Sequence, residues 1–419
     1  MHPNALLDLA TELLRSVLRF EQPADAVVSA FFRRHRALGA RERHALAETT
    51  YAVLRERLVL QHLAQSGSGA LERRLALLAW QGERGALDRV LAANERQWLA
   101  AVQAVDRASL PEKLRHNLPD WLAAVLKAEL GDEFWPLARA LQHSAPLDLR
   151  VNTLKARRDE VRAALAVAGI AAAPTPYSPW GLRVEGKPAL TRLELFASGA
   201  IEVQDEGSQL LALLTDAHRG EMVVDFCAGA GGKTLALGAA MRNTGRLYAF
   251  DVSGHRLAAL GPRLARSGLS NVYPVQIAHE RDERVKRLAG KIQRVLVDAP
   301  CSGLGTLRRN PDLKWRQSPR SVAELQAKQQ VILAAAARML APGGRLVYAT
   351  CSLLRAENED VSAGFDAQAG REFERLPVAP LLEAVGVADA GQLAPGGELR
   401  LWPHRHRTDG FYACVWRRR

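Results

Sequence analysis

The sequence predicts an α/β protein with a doubly wound, Rossmann-like domain, preceded by a small α/β domain and an N-terminal all-helical domain. Its 419 residues suffice for two to three domains of ordinary size. From Met222 onward, strand-like segments alternate with helical ones, as in a parallel sheet covered on both faces. Before about Leu130, apolar residues recur at helical spacing only. We therefore predict domains of residues 1–140, 141–215 and 216–419.

The N-terminal region shows the three- and four-residue spacing of a buried helix face, for example in Leu6, Leu9, Leu13 and Leu14. Between Pro146 and Gln204 the pattern changes to alternation, a helical stretch that ends near Ala168, and two short strands. This middle region is predicted to be a small α/β unit. Five arginines of the first region lie close together, where a solvated helix end is the simpler interpretation and contact with RNA the alternative: Arg33, Arg34, Arg36, Arg41 and Arg43.

The C-terminal region contains five predicted parallel strands: Met222–Phe226, Arg246–Phe250, Val272–Ile277, Arg294–Val297 and Arg345–Ala349. The helices predicted between them are Thr234–Met241, His255–Arg266 and Ser321–Leu340, the last stopped by Pro342, Gly343 and Gly344. Two further segments, Leu399–Trp402 and Phe411–Trp416, predict an antiparallel hairpin at one edge of the sheet.

Arginine dominates the positive charge. The chain has 57 Lys and Arg, only 9 of them Lys, against 45 Asp and Glu, for a net charge of +12. The guanidinium fork matches phosphate, so this excess favours a polyanionic partner, although codon usage in a GC-rich genome predicts the same composition. Residues 281–320 alone contribute +7. Charge concentrated in one segment favours a nucleic-acid-binding surface.

Several classes of protein are excluded by what the sequence lacks. No run of about 18 apolar residues exists, and Asp8 and Glu12 interrupt the start, so we expect no membrane span, no secretory signal and a cytoplasmic location. The four cysteines are at least 50 residues apart, which predicts no metal site and, in a reducing compartment, no disulfide. Nothing demands more than a monomer.

A glycine-rich turn follows the first parallel strand, in residues 225–234, Asp-Phe-Cys-Ala-Gly-Ala-Gly-Gly-Lys-Thr. A phosphate-binding P-loop would need glycine where Cys227 stands, and a dinucleotide fingerprint would need glycine at Thr234. Asp251 ends the next strand, where a carboxylate can accept bonds from ribose hydroxyls. S-adenosylmethionine carries a ribose but no phosphate, so the pattern predicts this cofactor.

Two cysteines follow the fourth and fifth strands, in Asp298-Ala-Pro-Cys301-Ser-Gly and Thr350-Cys351-Ser. The carboxyl ends of parallel strands line the ligand crevice, so both thiols are expected to face the cofactor, although a structural cysteine could occupy either place. Methylation of a pyrimidine at C5 requires such a thiolate, because its addition to C6 makes C5 nucleophilic. A second thiol could assist release of the product. The pattern predicts pyrimidine C5 methylation.

Asp298 is predicted to contact the N3 and exocyclic edge of the base, with capping of the following loop as the alternative. A free thiol is only a few per cent ionised at neutral pH, so the nucleophile needs positive potential nearby. The sequence predicts that this potential, and contacts to RNA phosphates, come from four residues: Arg308, Arg309, Lys314 and Arg316.

Three segments resemble the Fmu/Sun (RsmB-type) RNA cytosine-5 methyltransferases of the RsmB/NOP superfamily: Asp298-Ala-Pro-Cys-Ser-Gly, Arg308-Arg-Asn-Pro-Asp-Leu-Lys-Trp and Tyr348-Ala-Thr-Cys-Ser. The resemblance covers about Leu147 to Trp416. It implies a class I methyltransferase domain, a NusB-like RNA-binding domain at the N-terminus, and small-subunit (16S) rRNA as substrate.

The resemblance also implies roles for individual residues. Cys351 would be the nucleophile, Cys301 would assist release, and Asp298 would contact both cofactor and base. Arg150 and Asn152 of the small α/β domain are assigned to RNA. The residues assigned to the cofactor are Cys227, Ala228, Gly229, Ala230, Gly231, Gly232, Lys233, Asp251, Arg256, His279 and Asp298.

The sequence departs from the family pattern at two places. Gly229-Ala230 replaces Ala-Pro in the turn without changing its length. An acid usually ends the third strand, but Ile277-Ala-His279-Glu stands there, so His279 is either a substitute or an ordinary surface histidine. Two other functions fit part of the pattern: a DNA cytosine methyltransferase with Cys301 as nucleophile, and a non-enzymatic RNA-binding or assembly factor.

Overall fold

The computed structural model describes residues 1–419, which divide into two compact units. The first, the helical unit, comprises Met1–Ser144 together with Thr306–Ser318. The second, the sheet unit, comprises Ala145–Gly305 and Pro319–Arg419. The segment 306–318 therefore belongs to the helical unit although it lies within the region that the sequence predicts as the third domain.

The helical unit is built on leucine-rich helices whose apolar faces meet in one core. In the first helix, Leu7, Leu14 and Val17 recur at helical spacing and are buried. The helices before residue 145 are α1 (Pro3–Val17), α2 (Ala24–Arg34), α3 (Ala40–Arg55), α4 (Arg57–Ala64), α5 (Leu71–Leu78), α6 (Arg84–Asp88), α7 (Ala93–Gln103), α8 (Glu112–His116), α9 (Asp120–Leu130) and α10 (Phe134–Leu141).

The sheet unit begins with a small four-stranded antiparallel sheet. Its elements are β1 (Leu147–Val151), α11 (Arg158–Val167), β2 (Ala172–Pro174), β3 (Gly181–Val184), α12 (Glu194–Ala197) and β4 (Ile201–Val203), and its strand order is β2-β3-β1-β4. Leu149 of β1 pairs with Leu182 and with Val203 on its two sides. Buried leucines and valines of β1 and β3 pack against Val161 and Leu165 of α11.

The larger sheet begins with four parallel strands alternating with helices, as predicted. The elements are α13 (Glu206–Thr215), β5 (Met222–Asp225), α14 (Gly232–Ala240), β6 (Arg246–Asp251), α15 (Gly254–Ser267), β7 (Val272–Gln276), α16 (Glu283–Lys286) and β8 (Ile292–Asp298). The chain then contributes the short helix α17 (Leu313–Arg316) to the helical unit.

After residue 318 the chain completes the larger sheet. The elements are α18 (Pro319–Ala337), β9 (Leu340–Thr350), a 3-10 turn at Arg355–Glu357, α19 (Glu359–Ala369), β10 (Phe373–Leu376), α20 (Val378–Ala384), α21 (Ala390–Leu393), β11 (Leu399–Leu401), α22 (Pro403–His406) and β12 (Phe411–Arg418). The strand order is β10-β12-β9-β8-β5-β6-β7, with β11 paired to β12. Strands β5 to β9 are parallel, which confirms the doubly wound fold.

Two predictions about this sheet were wrong. The hairpin strand β12 lies inside the sheet, antiparallel to both β9 and β10, rather than at an edge. The helix α18 ends at Ala337, and the glycines that were expected to stop it lie in β9. There the pairing of β8 with β9 shifts register between Ile292 and Arg294, and Gly343 has a φ of +76°, so the glycines accommodate a bulge.

The parallel strands carry apolar residues on both faces because helices cover both sides of the sheet. Along β5, Val223 belongs to the core that includes α13 and α14, and Val224 to the core that includes α18. The strands end at the same edge in Asp225, Asp251, Asp298 and Thr350. This edge is where polar side chains leave the core.

Candidate active site

A cavity of about 750 Å³ opens at the carboxyl edge of the parallel strands. In open α/β sheets this edge is the usual place for ligands. The residues that follow β5 to β9 form much of its wall. The structure thus brings together twelve of the residues that the sequence analysis singled out: Cys227, Ala228, Gly229, Ala230, Gly232, Lys233, Asp251, Arg256, His279, Asp298, Cys301 and Cys351.

The glycine turn between β5 and α14 contains two residues in the left-handed region, Gly229 with φ +56° and Gly231 with φ +84°. A Cβ on Gly231 would collide with Leu260, whereas a Cβ on Gly229 would meet nothing within 4 Å. The backbone at Gly229 is therefore open to a ligand. Gly231 was also assigned to the cofactor, but it is not part of the cavity wall. A glycine is needed at this position because of its positive φ and because Leu260 leaves no room for a side chain.

Two buried carboxylates flank the turn. Asp251 Oδ2 accepts a hydrogen bond from Gly229 N at 2.8 Å, which fixes the turn against the end of β6. Asp225 Oδ2 accepts one from Thr234 Oγ1 at 2.7 Å, and Asp225 Oδ1 is buried without a partner. Burial raises the pKa of Asp225 to about 7. An unpartnered buried oxygen on a cavity residue is a ready hydrogen-bonding position for a ligand.

Lys233 and Asp298 form an ion pair in the cavity wall, with Lys233 Nζ 2.6 Å from Asp298 Oδ2. Burial alone would lower the pKa of Lys233, but the Asp298 carboxylate outweighs burial and the net pKa is raised. The charge of Cys351 acts in the same direction. Lys233, which the sequence analysis assigned to the cofactor, thus also supplies positive charge to the cavity that contains Cys351.

The thiols of Cys301 and Cys351 are adjacent, with their Sγ atoms 3.3 Å apart. Cys301 follows β8 and Cys351 follows β9, two strands that pair directly through Asp298 and Ala349. The hydrogen bond to Cys351, together with burial, raises the pKa of Cys301 well above its ordinary value. Cys301 therefore keeps its proton. In the contact between the two sulfurs either atom can be the donor.

The third predicted strand end is also part of the cavity, through Ile277, Ala278, His279 and Glu280. His279 is exposed, and its Nδ1 accepts a hydrogen bond from Arg281 N at 3.1 Å. Arg256 lies 3.9 Å from Asp251. Four cavity residues escaped the sequence analysis because they come from segments without a motif: Gln204, Ser208, Arg263 and Lys328.

The basic segment 306–318 packs into the helical unit, and Lys314 is one of its buried anchors. Only 2% of Lys314 is exposed, and its Nζ donates to the carbonyl oxygen of Arg55 at 2.7 Å. Trp315 Nε1 donates to Leu54 O at 3.0 Å, and Asp312 accepts from Ala24 N at 3.2 Å. The ammonium of Lys314 is therefore enclosed by protein in this structure, and its contact with RNA phosphate stays an untested prediction.

The other three basic residues of this segment keep more solvent contact. Arg308 and Arg309 are half-buried, and Arg308 donates to Ser144 O at 3.2 Å. Arg316 is exposed and lies 3.5 Å from Asp312. A role of these three in RNA binding stays a prediction.

The two residues of the small α/β domain that were assigned to RNA are buried as well. Arg150 lies in β1, and burial lowers its pKa to about 10. Asn152 Nδ2 donates to the carbonyl oxygens of Gly199 and Ser267, and so joins the small sheet to the end of α15. Contact of Arg150 and Asn152 with RNA stays an untested prediction, and it would require a rearrangement because both side chains are buried.

Across residues 1–419, no group of three or more His, Cys, Asp and Glu side chains is arranged to hold a metal ion. All four cysteines are free thiols. No helix has both the length and the apolar character that crossing a bilayer requires.

Comparisons with known proteins agree with this geometry. A family model described as "16S rRNA methyltransferase RsmB/F" matches residues 212–417, and one for the RsmF/B-like ferredoxin-like domain matches residues 118–191. The "Probable ribosomal RNA small subunit methyltransferase B" of Synechocystis is 36% identical over 73% of this chain and 68% of its own. The Sodalis glossinidius ribosomal RNA small subunit methyltransferase B is 36% identical over 78% of this chain and 71% of its own.

A solved structure supports the same assignment. The crystal structure of a methyltransferase homologue from Pyrococcus horikoshii is 28% identical and superposes with a TM-score of 0.62, over 75% of this chain and 99% of its own. This likeness agrees with the doubly wound fold of the present chain. The chain belongs to the RsmB/F family of 16S rRNA methyltransferases.

Proposed function

We propose that the protein is an RNA (cytosine-5-)-methyltransferase that acts on 16S rRNA through a covalent bond between Cys351 and C6 of the base. The observation that carries this proposal is the pair of thiols, 3.3 Å apart, in the wall of the cavity that the glycine turn also lines. Methyl transfer to ribose or to a base nitrogen needs no thiol. Two adjacent thiols suit chemistry at the adjacent carbons C6 and C5.

The cofactor is S-adenosylmethionine, and the cavity fits it. A volume of about 750 Å³ suits a ligand of this size, and the turn at Gly229 leaves its backbone open. The unpartnered Asp225 Oδ1 and the Asp251 carboxylate can accept hydrogen bonds from the amino acid and ribose parts. His279 and Arg256 are assigned to the adenosine end. When bound, the cofactor supplies an electrophilic methyl group on a sulfonium.

In the proposed reaction Cys351 Sγ attacks C6 of the cytosine, and negative charge builds along the C5, C4 and N3 atoms. The ion pair of Lys233 and Asp298 is proposed to contact the edge of the base where this charge develops. Asp298 Oδ1 accepts from the exocyclic amine of the base, and the Lys233 ammonium, which stays charged because its pKa is raised, stabilises the negative charge at N3.

Product release needs a base that removes the C5 proton. Cys301 can become that base because its pKa changes once Cys351 is bonded to C6. Its pKa is raised first of all by the hydrogen bond to Cys351. Once Cys351 Sγ is a thioether, that sulfur no longer carries negative charge, so the pKa of Cys301 falls. Cys301 then releases its proton to solvent, and its thiolate takes the C5 proton. The electrons of the broken C5–H bond re-form the double bond between C5 and C6, and the bond from Cys351 to C6 breaks with its electrons returning to the Cys351 sulfur.

The test is methyl transfer to rRNA by three single variants, with the modified base located by bisulfite sequencing. Cys351→Ala is expected to abolish transfer, and Cys301→Ala to accumulate protein covalently joined to RNA. Cys414→Ala, a buried cysteine outside the cavity, is the control and is expected to retain activity. Unchanged transfer by Cys351→Ala contradicts the proposal. An adduct in Cys351→Ala would make Cys301 the nucleophile, and absence of any transfer by the wild type would favour an assembly factor.

A further inference from the structure

Glu357 is a fully buried carboxylate close to the two thiols, and the reaction proposed above does not use it. It ends the 3-10 turn that follows β9, and its exposed fraction is 0%. It is not part of the cavity wall. Burying a carboxylate is costly unless hydrogen bonds compensate the charge, so its partners indicate what it does.

The partners of Glu357 come from both cysteine loops. Oε1 accepts from Ser302 N at 2.8 Å, and Oε2 accepts from the hydroxyls of Ser302 and Ser352, each at 2.5 Å. Ser302 follows Cys301, and Ser352 follows Cys351. Gln329 Nε2 of α18 donates to Oε1 at 3.1 Å and to Pro300 O at 2.9 Å, which adds a further tie to the first loop.

No cation lies within ion-pair distance of Glu357. Its charge is therefore held by four hydrogen-bond donors, three of which come from the residues that follow the two cysteines. One carboxylate thus joins two loops separated by 50 residues in the sequence. One backbone hydrogen bond links the loops as well, from Gly305 N to Cys351 O at 2.8 Å, and the two serine hydroxyls lie 3.2 Å apart.

We propose that Glu357 is a positioning residue that sets the distance between the sulfurs of Cys301 and Cys351 by holding the following serines together. The role rests on the proposed function, because a fixed sulfur pair matters only if both sulfurs act on one base. Attack at C6 and proton removal at C5 involve neighbouring ring atoms. A misplacement of about 1 Å in such a pair can reduce the rate about 100-fold.

The first measurement is independent of RNA and of methyl transfer. Diamide oxidises two close thiols to a disulfide: the thiols lose two protons and two electrons, and diamide is reduced to the hydrazine. The rate of this bond between Cys301 and Cys351, followed by thiol titration and by the mass of the linked peptides, reports the sulfur distance. The second measurement is single-turnover methyl transfer at saturating S-adenosylmethionine.

Three variants of Glu357 distinguish the effect of its side-chain length from the effect of its negative charge. Glu357→Asp keeps the charge but is one methylene shorter, Glu357→Ala removes the carboxylate, and Glu357→Gln keeps length and can donate to both serine hydroxyls. We expect the disulfide rate and the transfer rate to fall about 10- to 100-fold in the Asp and Ala variants and to be largely restored in Gln. The affinity for S-adenosylmethionine should not change. Glu206→Asp is the matched control, a buried glutamate that bonds Tyr177 N and Ser178 N outside the cavity.

The outcomes are distinct. Wild-type disulfide and transfer rates in folded Glu357→Asp overturn the positioning role, and this variant decides the matter if Glu357→Ala does not fold. Equal losses in Glu206→Asp also overturn it, since they would show a general loss of stability. If the disulfide rates follow the expected order but the wild type methylates no cytosine, the positioning role stands and the proposed function fails.

Discussion

Two buried lysines, one in each unit, behave in opposite ways. Lys233 of the sheet unit lies 2.6 Å from the Asp298 carboxylate, and its pKa is raised. Lys314 of the helical unit bonds a carbonyl oxygen and lies near Arg55, and burial followed by that like charge lowers its pKa to about 7. Both lie in stretches that look functional in the sequence. The difference teaches that the partner decides the protonation of a buried lysine. A carboxylate partner keeps the lysine charged, whereas a carbonyl partner does not offset burial, and the lysine then serves mainly to hold two segments together.

Replacing Lys233 by Met breaks the charge compensation on which the proposed chemistry depends. We expect methyl transfer to fall about 10²- to 10⁴-fold, the range for loss of a positioned acid–base group. Single-turnover transfer at saturating cofactor measures the effect. The control is Lys291→Met, an exposed lysine just before β8 and remote from its carboxyl end, which should transfer at the wild-type rate. A Lys233→Met enzyme as fast as this control would show that the ion pair is structural only.

The same comparison shows what sequence could and could not predict. The glycine turn, Asp251, Asp298 and both cysteines could be placed, because the ends of parallel strands meet at one edge whatever the details of packing. The position of Lys314 could not be predicted, because the sequence of a basic segment is the same whether its lysine contacts phosphate or is buried against protein. The decisive fact was tertiary, namely that residues 306–318 fold with the helical unit.

Glu357 illustrates the other limit. Its side chain joins loops 50 residues apart. Ser352 is five residues away in the sequence but Ser302 is 55 residues away, and no local pattern marks a carboxylate that bonds so distant a serine. The same holds for Gln204 and Lys328 in the cavity wall. For β12, alternation predicted the strand correctly, but strand order depends on which edge is available, and this is not encoded in one segment.

Trp315 anchors segment 306–318 and provides the next test. Its indole bonds Leu54 O, and the Arg57 guanidinium carbon lies 5.0 Å from the ring centroid. Trp315→Ala should cost the helical unit about 2–4 kcal/mol, the range for a large aromatic truncated within a packed contact. Hydrogen exchange of amides in α3 and α4 of the full chain measures the free energy of opening. Protection equal to that of the wild type would mean that the segment is not an integral part of the unit.

The lowered pKa of Lys314 predicts a pH dependence of stability. In the unfolded chain its pKa is about 10.4, so between pH 7 and 10 the unfolded state binds more protons than the folded state. The free energy of unfolding of the helical unit therefore rises with pH in this window, by at most about 1.4 kcal/mol per pH unit from this group. Lys314→Met should lose this increment and differ from the wild type by a constant amount below pH 6. Parallel pH profiles of the two proteins across the window would contradict the burial of a neutral amine.

The smallest effect is expected in RNA binding by the remaining basic residues of the segment. If Arg309 and Arg316 hold phosphates, replacing either by Ala should reduce the slope of log affinity against log salt by about 0.7, the value for one single-stranded phosphate contact. Lys314→Met should leave the slope unchanged, because its ammonium is enclosed by protein. Filter binding of an rRNA fragment at several salt concentrations measures all three variants together. If all three variants had the wild-type slope, the segment would not be part of the RNA interface. A reduced slope for Lys314→Met would instead mean that the segment leaves the helical unit when RNA binds.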